Sequence, residues 1–263
     1  MSATTKAISS VAVFVTMAAR TGFAAWIGTP GVPGDWNDPN NWSPVGVPTT
    51  GLTYVRNGGI AVASSDMVYT NGTLAIGQSG NSTVILNEGC FIDTTKMLIA
   101  DQEGINTLYI NGGTVKTGPA KDFVLAQNGT ANTGTVVMAG GEVTAYNLYV
   151  GRSGTGNFVL SNGVIRSTSS SIIGHTGIGT FRQFGGTNSI DGGTDLYLAN
   201  STSSIGTYVL DGGTLVCSDF LLFGSASNAV GSMTLSGRAL MEIGVPVKVR
   251  GDYDSCIFHF KAR

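Results

Sequence analysis

The chain has 263 residues, a formal net charge of −2, 39 glycines and 11 % charged residues, where an ordinary soluble domain carries about 25 % charge. This balance excludes a disordered chain, which combines many charges with few β-branched residues. It also removes the electrostatic basis for nucleic-acid binding, since the 14 Lys and Arg form no basic stripe.

Residues 1–24 have the layout of a secretory signal peptide. Lys6 precedes an apolar run from Ala7 to Ala19, and Gly22-Phe23-Ala24 offers a small-x-small pattern for cleavage before Ala25. The run is too short to span a bilayer. No later stretch is a better candidate, so the expectation is an exported chain, extracellular or at the cell surface, with no transmembrane segment after cleavage.

Residues 25–56 contain Trp26, Trp36 and Trp42, the only tryptophans, among many Gly, Asn and Asp residues. Two readings apply. The indoles can cap the open end of a repeat stack, which solenoid termini require. Alternatively, Trp26, Trp36 and Trp42 can contact carbohydrate, because indole faces stack on sugars and Asx groups bond hydroxyls.

Residues 57–243 repeat one phrase: a short strand, a glycine turn, a second strand, a gap, and a third strand closed by Gly or Ala. Clear copies begin at Thr107-Leu108-Tyr109-Ile110-Asn111-Gly112-Gly113 and Thr207-Tyr208-Val209-Leu210-Asp211-Gly212-Gly213. The last turn glycine falls at Gly89, Gly113, Gly141, Gly163, Gly186 and Gly213, with spacings of 24, 28, 22, 23 and 27 residues, about 25 on average. The third strand keeps step in copies such as Leu74-Ala75-Ile76-Gly77, Phe123-Val124-Leu125-Ala126 and Leu196-Tyr197-Leu198-Ala199. A unit this short cannot bury its apolar residues alone, whereas stacked copies turn them into continuous internal columns. The fold class expected is therefore all-β: a single-domain β-solenoid of about seven coils with an N-terminal cap. Residues 244–263 are left as a C-terminal tail or cap.

Two further columns qualify this picture. The residue four before each strand-closing Gly or Ala is Thr73, Lys96, Asp122, Asn147, Ser170 and Asp195, which suits corner hydrogen bonding between coils. Thr114, Thr187 and Thr214 share a column that Cys90, Glu142 and Val164 interrupt, so no regular threonine ladder of the ice-binding kind is expected.

The segment Trp26…Gly34-Asp35-Trp36…Asn41-Trp42…Val47-Pro48, followed by NGGT-type repeats, resembles the bacterial autotransporter-associated β-strand repeat proteins and similar surface-sorted β-helices. The resemblance covers residues 26–243. It implies a right-handed parallel β-helix displayed or released at the cell surface, in a group where many members have no assigned catalytic residues. The chain departs from that pattern after Ile243, where neither a translocator barrel nor an apolar sorting helix follows.

Such a helix also resembles the pectin-lyase-like polysaccharide lyases and hydrolases, so chemistry must be sought. Lyases need clustered carboxylates and a Lys or Arg base. Arg152, Arg166 and Arg182 occur in three successive coils with Asp191 and Asp195 just beyond, a weak candidate acid/base cluster. The histidines, His175 and His259, accompany no GxSxG elbow and read as surface residues. Cys90, Cys217 and Cys256 are far apart with no CxxC pair; no disulfide framework, metal site or cofactor is predicted, and the first two read as small buried hydrophobes. The expectation is thus a non-catalytic, adhesin-like scaffold whose partner is polysaccharide or cell-surface matrix. The alternative is a polysaccharide-active enzyme or a carbohydrate-binding module on the same fold.

Overall fold

The computed structural model describes residues 23–64, 67–244, 248–249 and 256–260. The backbone is an all-β parallel solenoid of about nine coils. Each coil supplies one strand to each of three faces, named here first, second and third after their order in the repeat. The first and second faces form one sixteen-stranded sheet folded along the turn glycines, and the third belongs to an eleven-stranded sheet. At about 4.8 Å per strand, nine coils make a rod of about 43 Å.

Alternation drives burial on every face. In Ile105–Ile110 the residues Asn106, Leu108 and Ile110 point inward, while Ile105, Thr107 and Tyr109 point outward. The inward residues of successive coils are register partners, as in Val84, Leu108, Val136, Phe158, Phe181 and Tyr208. These columns merge into one hydrophobic core that runs from Trp26 to Met233. Cys90 and Cys217 lie inside it as free thiols, and burial raises both thiol pKa values.

The corners need backbone that most residues avoid. The turn glycines have positive φ, for example 81° at Gly113 and 83° at Gly141, a region that costs glycine no Cβ strain. The third strand ends the same way: Gly77 has φ 83°, but Ala100 and Ala126 adopt 58° and 57°. Left-handed alanine costs about 1–2 kcal/mol. Space decides where alanine fits. A Cβ on Gly77 would sit 2.1 Å from the Asn106 side chain, whereas the residues in register with Asn106 in the following coils are Gly134, Gly156, Gly179 and Gly206, which carry no side chain.

The coil count exceeds the expected seven at both ends. Phe23–Trp26 and Leu52–Val55 already stack in parallel, so the tryptophan segment adds a coil at this end. It escaped the repeat pattern because indoles fill its interior instead of aliphatic rows. Beyond Ile243, Lys248–Val249 pairs with the third face and Cys256–Phe260 with the first, so coiling continues past the expected repeat boundary. The leader expected over residues 1–24 lies outside the described residues except for Phe23 and Ala24, which open the first strand.

Candidate functional site

The three indoles face the core. Trp26 is 2 % exposed, and Trp36 and Trp42 are fully buried. They meet edge to face, with centroids 5.0 Å apart for Trp26–Trp42 and 4.6 Å for Trp36–Trp42, and Trp42 Nε1 donates to the Trp36 carbonyl at 2.8 Å. Trp42–Ser43 runs antiparallel to Phe23–Trp26 and closes the end of the stack. Sugar stacking requires an open ring face. Trp26, Trp36 and Trp42 have none, and of their two expected roles the geometry fits the end cap.

The arginine–aspartate set is dispersed over all three faces. Arg182 is an outward residue of the first face, opposite Val159 and Val209. Arg166 stands on the second face and pairs with Glu142 at 3.9 Å and Asp191 at 3.5 Å. Arg152 follows the third strand and reaches Asp122 at 3.8 Å. Asp195, also at the third strand, accepts from the Tyr197 hydroxyl at 2.8 Å and the Phe220 amide at 3.2 Å. Only Arg166 and Asp191 come together. Successive coils give neighbouring height, but face is set by position within the repeat, and these three arginines occupy three different positions.

A denser set of ionisable groups collects on the third face. Its outward column runs Tyr54, Ala75, Leu98, Val124, Tyr149, Ile172 and Tyr197. Ala75, Leu98 and Val124 are buried on this outer side and form a second small apolar cluster, with Tyr54 and Tyr149 packed against it. Two polar rows border it. One is the corner column already singled out: Lys96 pairs with Thr73, Asn147 Nδ2 donates to Asp122 at 2.9 Å, and the Ser170 amide donates to Asn147 at 3.1 Å. This confirms the expected coil-to-coil hydrogen bonding for Asp122, Asn147 and Ser170. The other row follows each strand-closing Gly or Ala and includes Asp101, Arg152 and His175.

The apolar floor perturbs these groups. Burial raises the Asp101 carboxyl, against the opposing pull of Lys96 and of Asn128, which donates at 3.2 Å. Burial lowers the Lys96 ammonium; Arg152 pushes the same way, and Asp122 and Asp101 oppose it. The Tyr149 hydroxyl is raised by burial and by Asp122, against Arg152. The Arg152 guanidinium sits 5.0 Å from the Tyr149 ring centroid. His175 is lowered by burial and then by Arg152; its ring lies 5.6 Å from that of Tyr149, and Asn200 Nδ2 is 3.2 Å from Nδ1. Half-buried aromatic faces flanked by alternating donors and acceptors can bind polyhydroxylated ligands, and a softened lysine beside carboxyls can move a proton. The sequence signal was present. Each residue after the strand-closing Gly or Ala is polar, in Gln78, Asp101, Gln127, Arg152, His175 and Asn200.

Among the described residues, no group of three or more His, Cys, Asp or Glu is placed to hold a metal ion, and no helix is long and apolar enough to cross a membrane. His259 and Cys256 lie in a strand whose side chains are outside the described set. No protein-family model, no curated protein and no solved structure matches the chain.

Proposed function

We propose that the chain is an exported, non-catalytic β-solenoid scaffold that contacts polysaccharide or surface matrix along its third face. The carrying observation is the use to which its polar groups are put. Asp122, Asn147, Ser170 and Asp195 bond to the next coil, and Arg152 and Arg166 pair with carboxylates one coil away. Such groups hold register in a stack whose strands already supply a stiff rod. Tyr54, Tyr149 and Tyr197 recur in one outward column and offer the aromatic area that the buried tryptophans do not. The layout of residues 1–24 and the resemblance to autotransporter-type repeat proteins support display outside the cell.

One observation favours a second reading, a polysaccharide-active enzyme of the pectin-lyase-like kind: Lys96, Asp101, Asp122 and Arg152 share the third face. A panel of neutral and acidic polysaccharides, tested with and without Ca²⁺ for retention and for unsaturated or reducing-end products, separates the two. The scaffold reading expects retention without products, weakened in a Tyr149→Ala, Arg152→Ala double variant. Products that vanish in Lys96→Met would establish the enzyme instead.

A further inference from the structure

The outward side of the first face carries three columns of side chains in regular register. Its middle column contains Thr83, Thr107, Thr135, Thr180, Thr207 and Ser232, with Asn157 between Thr135 and Thr180, each residue the register partner of the next. No slip or bulge interrupts these pairings; the shift in this sheet lies beyond the column, between Leu210 and Gly212. A regular TxT ladder is absent on this face, as expected, since only Thr133 and Thr135 pair in this way within a strand, but a single threonine-rich column does run along it. The interrupted Thr114 column belongs to the second face, where its partner is Phe91 rather than Cys90, and the regular one lies a strand earlier.

Three physical properties of this surface converge. First, its hydroxyls are available. Among the described residues, Thr83, Thr107, Thr135 and Thr180 have no hydrogen-bond partner for Oγ1, and only Ser232 bonds within the column, to Thr207 at 3.1 Å. Second, the flanking columns are mainly β-branched and apolar. Ile178 and Ile205 stand on one side, 45 % and 40 % exposed, and Val137, Val159 and Val209 on the other. Third, charge is nearly absent. Arg182 is the single ionised group across the three columns from Thr83 to Thr234. Arg182 and the bulky Tyr109 both fall in the third column, so the other two are left even. The array repeats about every 4.8 Å along the rod and about every 6.6 Å along each strand, over a length of about 29 Å.

An uncharged face selects an uncharged partner, since any ionic ligand would lose hydration here without finding a counter-charge. A peptide or polymer chain repeats in one direction, whereas this array repeats in two. Hexagonal ice also repeats in two, and the oxygen rows of its prism faces are spaced slightly more closely than the rungs of a β-sheet. Threonine suits such a ligand, because its hydroxyl can occupy a lattice oxygen position while its methyl orders the adjacent water. We propose that the first face binds ice through the Thr83–Ser232 column, an activity separate from polysaccharide contact on the third face.

The test measures ice shaping and thermal hysteresis of the purified chain in a nanolitre osmometer. Thr135→Tyr and Thr207→Tyr would each place a ring in the middle of the array, and Lys116→Tyr would place one on the second face. Far-UV circular dichroism reports the fold of every variant. Faceted crystals and a measurable freezing gap are expected from the wild type and Lys116→Tyr, with loss of both in either threonine variant that keeps its fold. Rounded crystals with no hysteresis from the folded wild type would overturn the proposal. So would full activity in a folded Thr135→Tyr or Thr207→Tyr chain. Retention on crystalline cellulose that Thr135→Tyr abolishes, without any effect on ice, would reassign the face to a polymer and equally overturn it.

Discussion

Asp101 shows what stacking does to a single ionisable group. The residue is 6 % exposed, and burial holds its carboxyl above the ordinary carboxylate range, outweighing Lys96 and Asn128. The native state therefore binds this proton more tightly than the unfolded chain. Its favourable contribution is complete below the unfolded pKa and is lost as pH rises through the higher native value. Asp101→Asn, which keeps an acceptor for Asn128, is expected to be more stable than the wild type at pH 7. The two should converge as pH falls below about 4. Urea unfolding at both pH values checks this, and a variant weaker than wild type at pH 7 would mean that attraction to Lys96 outweighs burial. His175 has the opposite sign: its native pKa is lowered, so its contribution is present above about 6.5 and is lost as pH falls.

At the scale of the element, the interior aromatic column carries the clearest packing argument. Phe158, Phe181 and Tyr208 stack nearly parallel, with centroids 4.9 Å and 4.7 Å apart and interplanar angles of 9° and 17°. The Tyr208 hydroxyl is fully buried; it donates to Gln183 Oε1 at 2.6 Å and accepts from Asn188 Nδ2 at 3.0 Å. Phe181→Ala would break both stacks and leave a cavity, with an expected loss of about 3–5 kcal/mol. Phe181→Leu fills most of that space and should lose about 1.5 kcal/mol or less. Equal losses in denaturant titrations would mean that the stack itself, rather than volume, holds the column. Such columns were legible in the sequence because each turn glycine fixes the phase of the strands around it. The threonine column was legible by the same rule, since Thr83, Thr107, Thr135, Thr180 and Thr207 each stand six residues before Gly89, Gly113, Gly141, Gly186 and Gly213. Aligning residues after the turn hides it, because the column precedes the turn.

Across the whole molecule, sequence periodicity reveals translation along the axis more readily than position around it. The parallel stack and its glycine corners follow from spacing alone. The dispersal of Arg152, Arg166 and Arg182 does not, because their faces depend on offset within the coil and each offset differs. The tryptophan coil was hidden for another reason: an end coil must fill its interior and cover it at once, and indoles that do both erase the repeat's aliphatic signature. A quasi-one-dimensional stack makes a further demand on the chain. Contacts reach only adjacent coils, so stability is a sum of coil and interface terms, and a whole coil should be removable. Thr155 is the register partner of Ile178 on the first face, and Val164 and Leu148 have partners Thr187 and Ser171 on the other two. Deleting residues 155–177 thus removes one complete turn and brings Ile178 into the place of Thr155. The shortened chain should fold, with a rod shorter by about 4.8 Å in small-angle scattering. Its urea m-value should fall by about one-ninth, in proportion to the lost buried surface. Deleting residues 155–167 removes two faces of that turn and leaves the third, so the strands beyond it have no register to join. That chain should fail to give the wild-type circular dichroism spectrum. If both deletions fold equally well, coil registry is not what holds the rod together; if neither folds, contacts beyond nearest neighbours carry part of its stability.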